Sequence, residues 1–197
     1  MIDFKDISLS FHSKMIFEHF NATIQTGEKV GIRGASGKGK TTLLKTVMGL
    51  CRPDSGEIQV NQLLLNENNI ADIRKTITWI PQNINLPAQN GMQLIEWLNL
   101  APHVSSVNQY LNDLGLDHSF LNKSFLQVSG GQKQRIILAI CLSMPKSILL
   151  IDEPTSSLDN DAIRLLINLL STMKGKTILA ASHHPIFLNH MDRIIEL

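Results

Sequence analysis

EKVGIRGASGKGKTT, Glu28 to Thr42, is the stretch on which the reading of this chain turns. Its first six residues form a short apolar run of the kind that makes a buried strand, and the pattern from Lys40 to Leu50 is helical. Between them Gly34, Ala35, Ser36, Gly37, Lys38, Gly39, Lys40 and Thr41 match the spacing GxxxxGK[ST], with Thr42 following. Glycines suit such a loop because backbone N–H groups must curl around phosphate oxygens at dihedrals that a Cβ disfavours. In that chemistry Lys40 reaches the β- and γ-phosphates and Thr41 offers its hydroxyl to Mg²⁺. The helix that follows points its positive end at the same anion. The loop therefore predicts a site for a nucleoside triphosphate.

A second segment, SILLIDEPTSSLD (Ser147 to Asp159), completes it. Four apolar residues predict a buried strand that carries Asp152 and Glu153 to its C-terminal end, where ligands sit in open α/β sheets. Asp152 then holds Mg²⁺ through its water shell, and Glu153 is the candidate general base for the attacking water. An acidic pair at a helix N-terminus is the competing explanation of the same two residues.

Outward from these segments the chain alternates. Ile2–Phe11, Glu57–Leu65, Thr76–Ile80, Thr177–Ala181 and Arg193–Leu197 read as strands, the second with a turn. Met92–Leu100, Val107–Leu116, Ser129–Ser143 and Ala162–Met173 carry apolar residues at helical spacing. After residue 28 the pattern predicts an α/β fold with a parallel sheet between helices. The helical stretch in the middle reads as an inserted lobe, without repeats or linkers.

The chain has 197 residues, 43% of them apolar and 18% charged, with a formal net charge of +1. That balance gives no footprint for nucleic acid or an anionic membrane. Cys51 and Cys141 lack metal-ligand spacing and read as small buried residues of a reducing compartment. No run approaches the roughly 18–20 apolar residues that span a bilayer, and the charged N-terminus does not suit a signal peptide. The short stretch after His183 argues against a fused regulatory domain.

Between the two phosphate-site segments lies LQVSGGQKQR. With Ser129, Gly130, Gly131 and Gln132 in that position, the sequence resembles the ATP-binding cassette (ABC) ATPases nearly end to end. The resemblance implies a P-loop NTPase with a RecA-like, mostly parallel sheet, an N-terminal antiparallel β lobe and an inserted helical lobe. It also implies one domain over 1–197, with the helical lobe at approximately 83–145. In that family Phe11 falls where an aromatic ring, usually tyrosine, stacks on adenine; a core phenylalanine is the other reading. Gln82 matches a glutamine that contacts Mg²⁺ and water and links the two lobes. Ser156-Ser157-Leu158-Asp159 resembles the D-loop that crosses a dimer interface, although Asp159 can equally cap a helix. His183 matches the switch histidine at the γ-phosphate, and His184 stands where the family commonly has aspartate. The signature reads VSGGQ for the commoner LSGGQ.

By resemblance, then, ATP and Mg²⁺ are the cofactors, and a head-to-tail homodimer shares two sites, each signature closing on its partner's nucleotide. The function implied is that of the ATP-binding and ATP-hydrolysing subunit of a transporter, working with transmembrane permease subunits on separate chains and without nucleic acid. Its place is cytoplasmic, peripheral on the inner face of the cell membrane. Contact with the permease falls near Ile84 to Pro87, unless those residues pack inside the lobe. A single-cassette ABC ATPase of an assembly machinery, such as iron–sulfur biogenesis, is the alternative. No coiled-coil insertion or second cassette points to the repair or translation types. Lys40, Gln82, Glu153 and His183 together give no reason to prefer a module that binds without hydrolysing.

Overall fold

The computed structural model describes residues 1–11, 14–82 and 87–197. In chain order it opens with β1 (Ile2–Phe11), β2 (Lys14–Ile24), β3 (Lys29–Arg33), α1 (Lys40–Val47), β4 (Ser55–Val60) and β5 (Leu63–Leu64). There follow α2 (Ile70–Thr76), β6 (Ile77–Ile80), α3 (Gly91–Trp97), α4 (Val104–Asp113) and α5 (Gly130–Leu142). The remaining elements are β7 (Ile148–Asp152), α6 (Asn160–Thr172), β8 (Thr177–Ala181), α7 (Pro185–Leu188) and β9 (Arg193–Glu196).

Two compact units form. The first holds Met1–Trp79, Lys146–Glu153 and Gly175–Leu197; the second holds Ile80–Pro145 and Pro154–Lys174. In the first, one sheet runs in the order β6-β7-β8-β3-β9. Strand β3 pairs in parallel with β8 and β9, and β7 with β8. Every residue of β7 and β8 is buried, as expected of strands covered on both faces. Because β7, β8 and β3 are neighbours, the segments that leave their C-terminal ends converge, and those segments carry residues 34–41, Glu153 and His183.

A second sheet, β2-β1-β4-β5, is antiparallel. The α/β architecture with an antiparallel N-terminal sheet is thus the one expected. Strand β2 had no counterpart in the sequence pattern. Its pairing with β1 shifts register between Phe4 and Ile7, Ile7 and Leu9, and Leu9 and Ser10. Asp6 (φ 55°) and His19 (φ 50°) are in left-handed conformations there. Such irregularities break the two-residue alternation by which a strand is recognised. The β4–β5 hairpin turns through Asn61 (φ 49°) and Gln62 (φ 68°), the positive pair that a two-residue turn requires.

Helix α1 stops at Val47, short of the expected Leu50. Gly49 sits at φ 62°, its N–H donates to Thr46 O, and Leu50 N–H donates to Lys45 O, both at 2.9 Å. That is a Schellman closure, in which glycine takes the left-handed position. The short helix α2, absent from the sequence reading, lies beside this end, and Arg74 Nε donates to Met48 O at 2.9 Å. Cys51 is half-buried rather than fully buried, packed against the core of Ile2, Phe4, Leu43, Leu44 and Val60.

In the second unit α4 begins at Val104, earlier than expected, because Ala101–His103 form a 3-10 turn that runs into it. Helix α5 buries Ile136, Ile137, Leu138, Ala139, Ile140 and Leu142. Its second half is therefore buried on every side, beyond the single apolar face of a surface helix. Helix α6 has the ordinary one-sided pattern, burying Ile163, Leu166, Ile167 and Leu170.

Leu150 is fully buried at the middle of β7. Leu150→Ala should lower unfolding stability by about 2–5 kcal/mol through lost burial and a residual cavity, measured as a shift of the urea midpoint at unchanged slope.

Candidate functional site

The glycine-rich loop leaves β3 and enters α1 through Gly39 at φ 98°. Among the described residues no side chain caps this helix, and no acid occupies its first turn. Its first N–H donors are therefore open to a ligand, and the positive end of the helix is uncompensated. Sterics hold the loop close to its surroundings. A Cβ at Gly39 would lie 2.6 Å from Ile16 Cγ2 and 2.9 Å from Phe17 Cζ, and one at Gly34 would lie 2.9 Å from Leu197 O. Strand β2, which the sequence did not reveal, thus packs directly on the loop.

Lys40 is turned inward. Its Nζ donates to Gly34 O at 2.8 Å and lies 3.8 Å from Glu153 Oε1, with the two side chains only 10% and 9% exposed. Glu153 follows β7 in a left-handed conformation, φ 48°, uncommon for a residue with a side chain. Its N–H donates to Ala181 O at 2.9 Å, anchoring that conformation to the end of β8. Glu153 Oε2 is 2.8 Å from Nδ1 of His183, whose ring is largely exposed. Lys40, Glu153 and His183, far apart in sequence, therefore form one cluster. The backbone carbonyls of Gly34 and Ala181 that hold it carry no side-chain signal, and sequence reading missed them. His184 does not join the pair at Glu153: its N–H donates to Ser182 Oγ, and its buried Nδ1 has no partner among the described residues.

Asp152 is almost fully buried. Thr41 Oγ1 donates to its Oδ2 at 2.8 Å, while its Oδ1 finds no partner among the described residues. Burial pushes this carboxyl above its ordinary 3.8, and the nearby Glu153 adds to the rise. The Thr41 hydrogen bond and the charges of Lys45 and Lys40 pull it down. Lys45, one helical turn beyond Thr41, was not singled out in the sequence. A buried, unpartnered carboxylate oxygen beside a hydroxyl suits a hard divalent cation that takes oxygen ligands, so these residues fit Mg²⁺.

Phe11 is 45% exposed, which removes the core-phenylalanine reading. Gln82, Ser129–Gln132 and Asp159 belong to the second unit. Gln82 is exposed. Ser129 caps α5 in a reciprocal box: Gln132 N–H donates to Ser129 Oγ at 3.2 Å, and Ser129 N–H donates to Gln132 Oε1 at 2.9 Å. Asp159 caps α6, its Oδ1 accepting from Ala162 N–H at 2.8 Å. Of the segment Ile84 to Pro87, residues 84–86 lie outside the described residues.

The family model described as ABC transporter matches residues 17–156. The chain belongs to the ABC transporter family. It is an ABC ATPase cassette. It is 31% identical over 205 residues to the energy-coupling factor transporter ATP-binding protein EcfA of Aster yellows witches'-broom phytoplasma, covering 100% of this chain and 75% of that protein. It is also 31% identical over 205 residues to the glutathione/L-cysteine transport system ATP-binding/permease protein CydD of Bacillus subtilis, covering 98% of this chain and 36% of that protein. The cassette thus spans about a third of the length of such ATP-binding/permease relatives. A dimeric bacterial ABC transporter cassette of known structure superposes with a TM-score of 0.86 at 27% identity, covering 100% of this chain and 94% of that one. The post-hydrolysis dimer of the same cassette, bound to ADP and Pi, gives a TM-score of 0.83 at 26% identity over the same shares of the two chains.

The raised Asp152 value has a sign that can be tested. The folded chain holds the proton more tightly than the unfolded one, so this group weakens stability as pH rises from 3.8 through the folded value. Asp152→Asn should raise the melting temperature of the nucleotide-free cassette at neutral pH. The gain should disappear below pH 3.8, and scanning calorimetry across pH checks both. Mg²⁺ should no longer tighten ATP binding to the variant.

Proposed function

We propose that this cassette hydrolyses ATP at two sites shared by a head-to-tail pair of copies, and that the cycle drives a membrane transporter. The observation that carries the reading is the cluster of Lys40, Glu153 and His183 beside an uncapped helix N-terminus. In this reading the loop N–H groups and Lys40 bind the β- and γ-phosphates, which displace Lys40 from Gly34 O. Thr41, Asp152 and Gln82 hold Mg²⁺, which when bound neutralises charge on the phosphate oxygens. Glu153 accepts the proton of the attacking water, and His183 turns from Glu153 toward the γ-phosphate. Phe11 stacks on adenine.

The second half of each site is the partner's Ser129 to Gln132. Residues Gly130 and Gly131 open α5, where N–H groups have no intrahelical acceptor, and its first turn carries no acid. The capping box is closed with Gln132, a neutral amide, where glutamate would serve the helix equally well. Neutrality at that position suits an approaching γ-phosphate. Asp159 and its neighbours meet the partner across the same interface.

We place the transmembrane part on separate permease chains, with the cassette on the cytoplasmic face of the cell membrane. No helix among the described residues is long and apolar enough to cross a membrane. The EcfA relative, an ATP-binding protein matched over 75% of its length, supports this arrangement. Co-purification of tagged cassette from detergent-solubilised membranes tests it: a polytopic membrane protein should be retained in stoichiometric amount, and recovery of soluble assembly factors alone would overturn it.

Glu153→Gln should lower turnover by about 10²–10⁴-fold while ATP still binds, and light scattering should show dimers with Mg-ATP and monomers without. A monomer that binds ATP, alone and in the assembled complex, counts against shared sites. Gln132→Glu on that background should keep the helix and the melting temperature but abolish the ATP-driven dimer. An undiminished dimer would show that no phosphate approaches this end of α5.

A further inference from the structure

The two signature glycines are not equivalent. Neither has a positive φ, so backbone freedom is not what requires glycine there. A Cβ added at Gly130 would meet nothing within 4 Å. One added at Gly131 would lie 2.7 Å from the Ser157 carbonyl oxygen and 3.8 Å from its carbon. The obstacle is backbone, which cannot swing aside as the tip of a flexible side chain can.

Each of the two segments that meet here is internally finished. Ser129 to Gln132 is fixed by the reciprocal capping box at the start of α5. Thr155 to Ala162 is fixed by Leu158 N–H donating to Thr155 O at 3.2 Å and by the Asp159 cap at the start of α6. The two helices, 13 residues each, begin where Gly131 and Ser157 touch. Ser129, Gly130, Ser156 and Ser157 are all exposed, so the joined segments turn a polar surface outward.

We propose that Gly131 is a positioning residue that acts within its own chain. Its bare Cα is the seat for the Ser157 carbonyl, and this seat sets the spacing between segments 129–132 and 156–159. Gly130 has no such neighbour and is small for the sake of whatever approaches from outside. Under the shared-site reading, on which this consequence rests, the two segments reach the partner as one rigid surface. A methyl at 131 then spoils both contacts from inside the chain, and a methyl at 130 spoils only the contact with the partner's nucleotide.

The seat is tested without nucleotide or partner, by hydrogen exchange in the free chain. Gly131→Ala should speed exchange of the Leu158 and Ala162 amides by about tenfold or more, because both bonds lie in the displaced segment. Gly130→Ala should leave them within about twofold of the parent. Unchanged exchange in Gly131→Ala, or an equal rise in Gly130→Ala, overturns the seat. If Gly131→Ala does not fold, a crystal structure of the parent chain decides it: van der Waals contact between the Gly131 Cα and the Ser157 carbonyl oxygen supports the seat, and a gap between them overturns it. On the Glu153→Gln background, Gly131→Ala should weaken the Mg-ATP dimer while monomer ATP affinity holds. Full dimerisation with altered exchange would leave the seat standing and overturn its consequence for the partner surface. If the Glu153→Gln parent itself does not dimerise, the shared-site reading fails, and the exchange result still decides the seat.

Discussion

An uncapped helix is the constraint around which this cassette is built. A side-chain cap would satisfy the first N–H groups of α1, and its entry residue, Gly39, has none to offer. A loop left open to an anion needs support beyond the bonds it makes to itself, from Lys38 N–H to Ala35 O and from Lys40 Nζ to Gly34 O. Here that support is steric and comes from distant parts of the chain: Ile16 and Phe17 of β2 against Gly39, and the Leu197 carbonyl against Gly34. The parallel order β7-β8-β3 then delivers Asp152, His183 and the loop to one end of the sheet.

The same end of the sheet stores two unfavourable features. Glu153 adopts a left-handed backbone, held by its bond to the Ala181 carbonyl, and one oxygen of the buried Asp152 carboxylate has no partner among the described residues. Unfavourable conformations and unsatisfied charges of this kind cost of order 1–3 kcal/mol each and persist where the surroundings over-determine them. The fully buried β7 and β8 supply that determination. Lys40 meanwhile lies between a backbone carbonyl and Glu153, a pairing that keeps two buried charges tolerable.

Three helix starts show how charge is allotted. Helix α1 is bare; α5 is capped by a serine and a neutral amide; α6 is capped by Asp159 and carries Asp161 in its first turn. Only the last is compensated by negative charge. The first two keep a positive end, and they are the two ends that the family logic assigns to phosphate.

The sequence by itself determined the chemistry. The spacing of Gly34 to Thr41, the apolar run into Asp152-Glu153 and the SGGQ segment are local patterns, since phosphate binding and helix capping are done by residues close together in the chain. The α/β class followed from the alternation of strands and helices. It did not reveal β2, whose bulges erase the two-residue period, or α2, which buries only Ile73 and so carries no apolar stripe. What only the tertiary structure decided were the relations between segments: Lys40 facing Glu153, Glu153 facing His183, β2 over Gly39, and the Ser157 carbonyl on Gly131. Most of these run through backbone atoms or through residues more than 20 positions apart. A carbonyl has no letter in the sequence, so its place is fixed only when the strands and helices that carry it have packed.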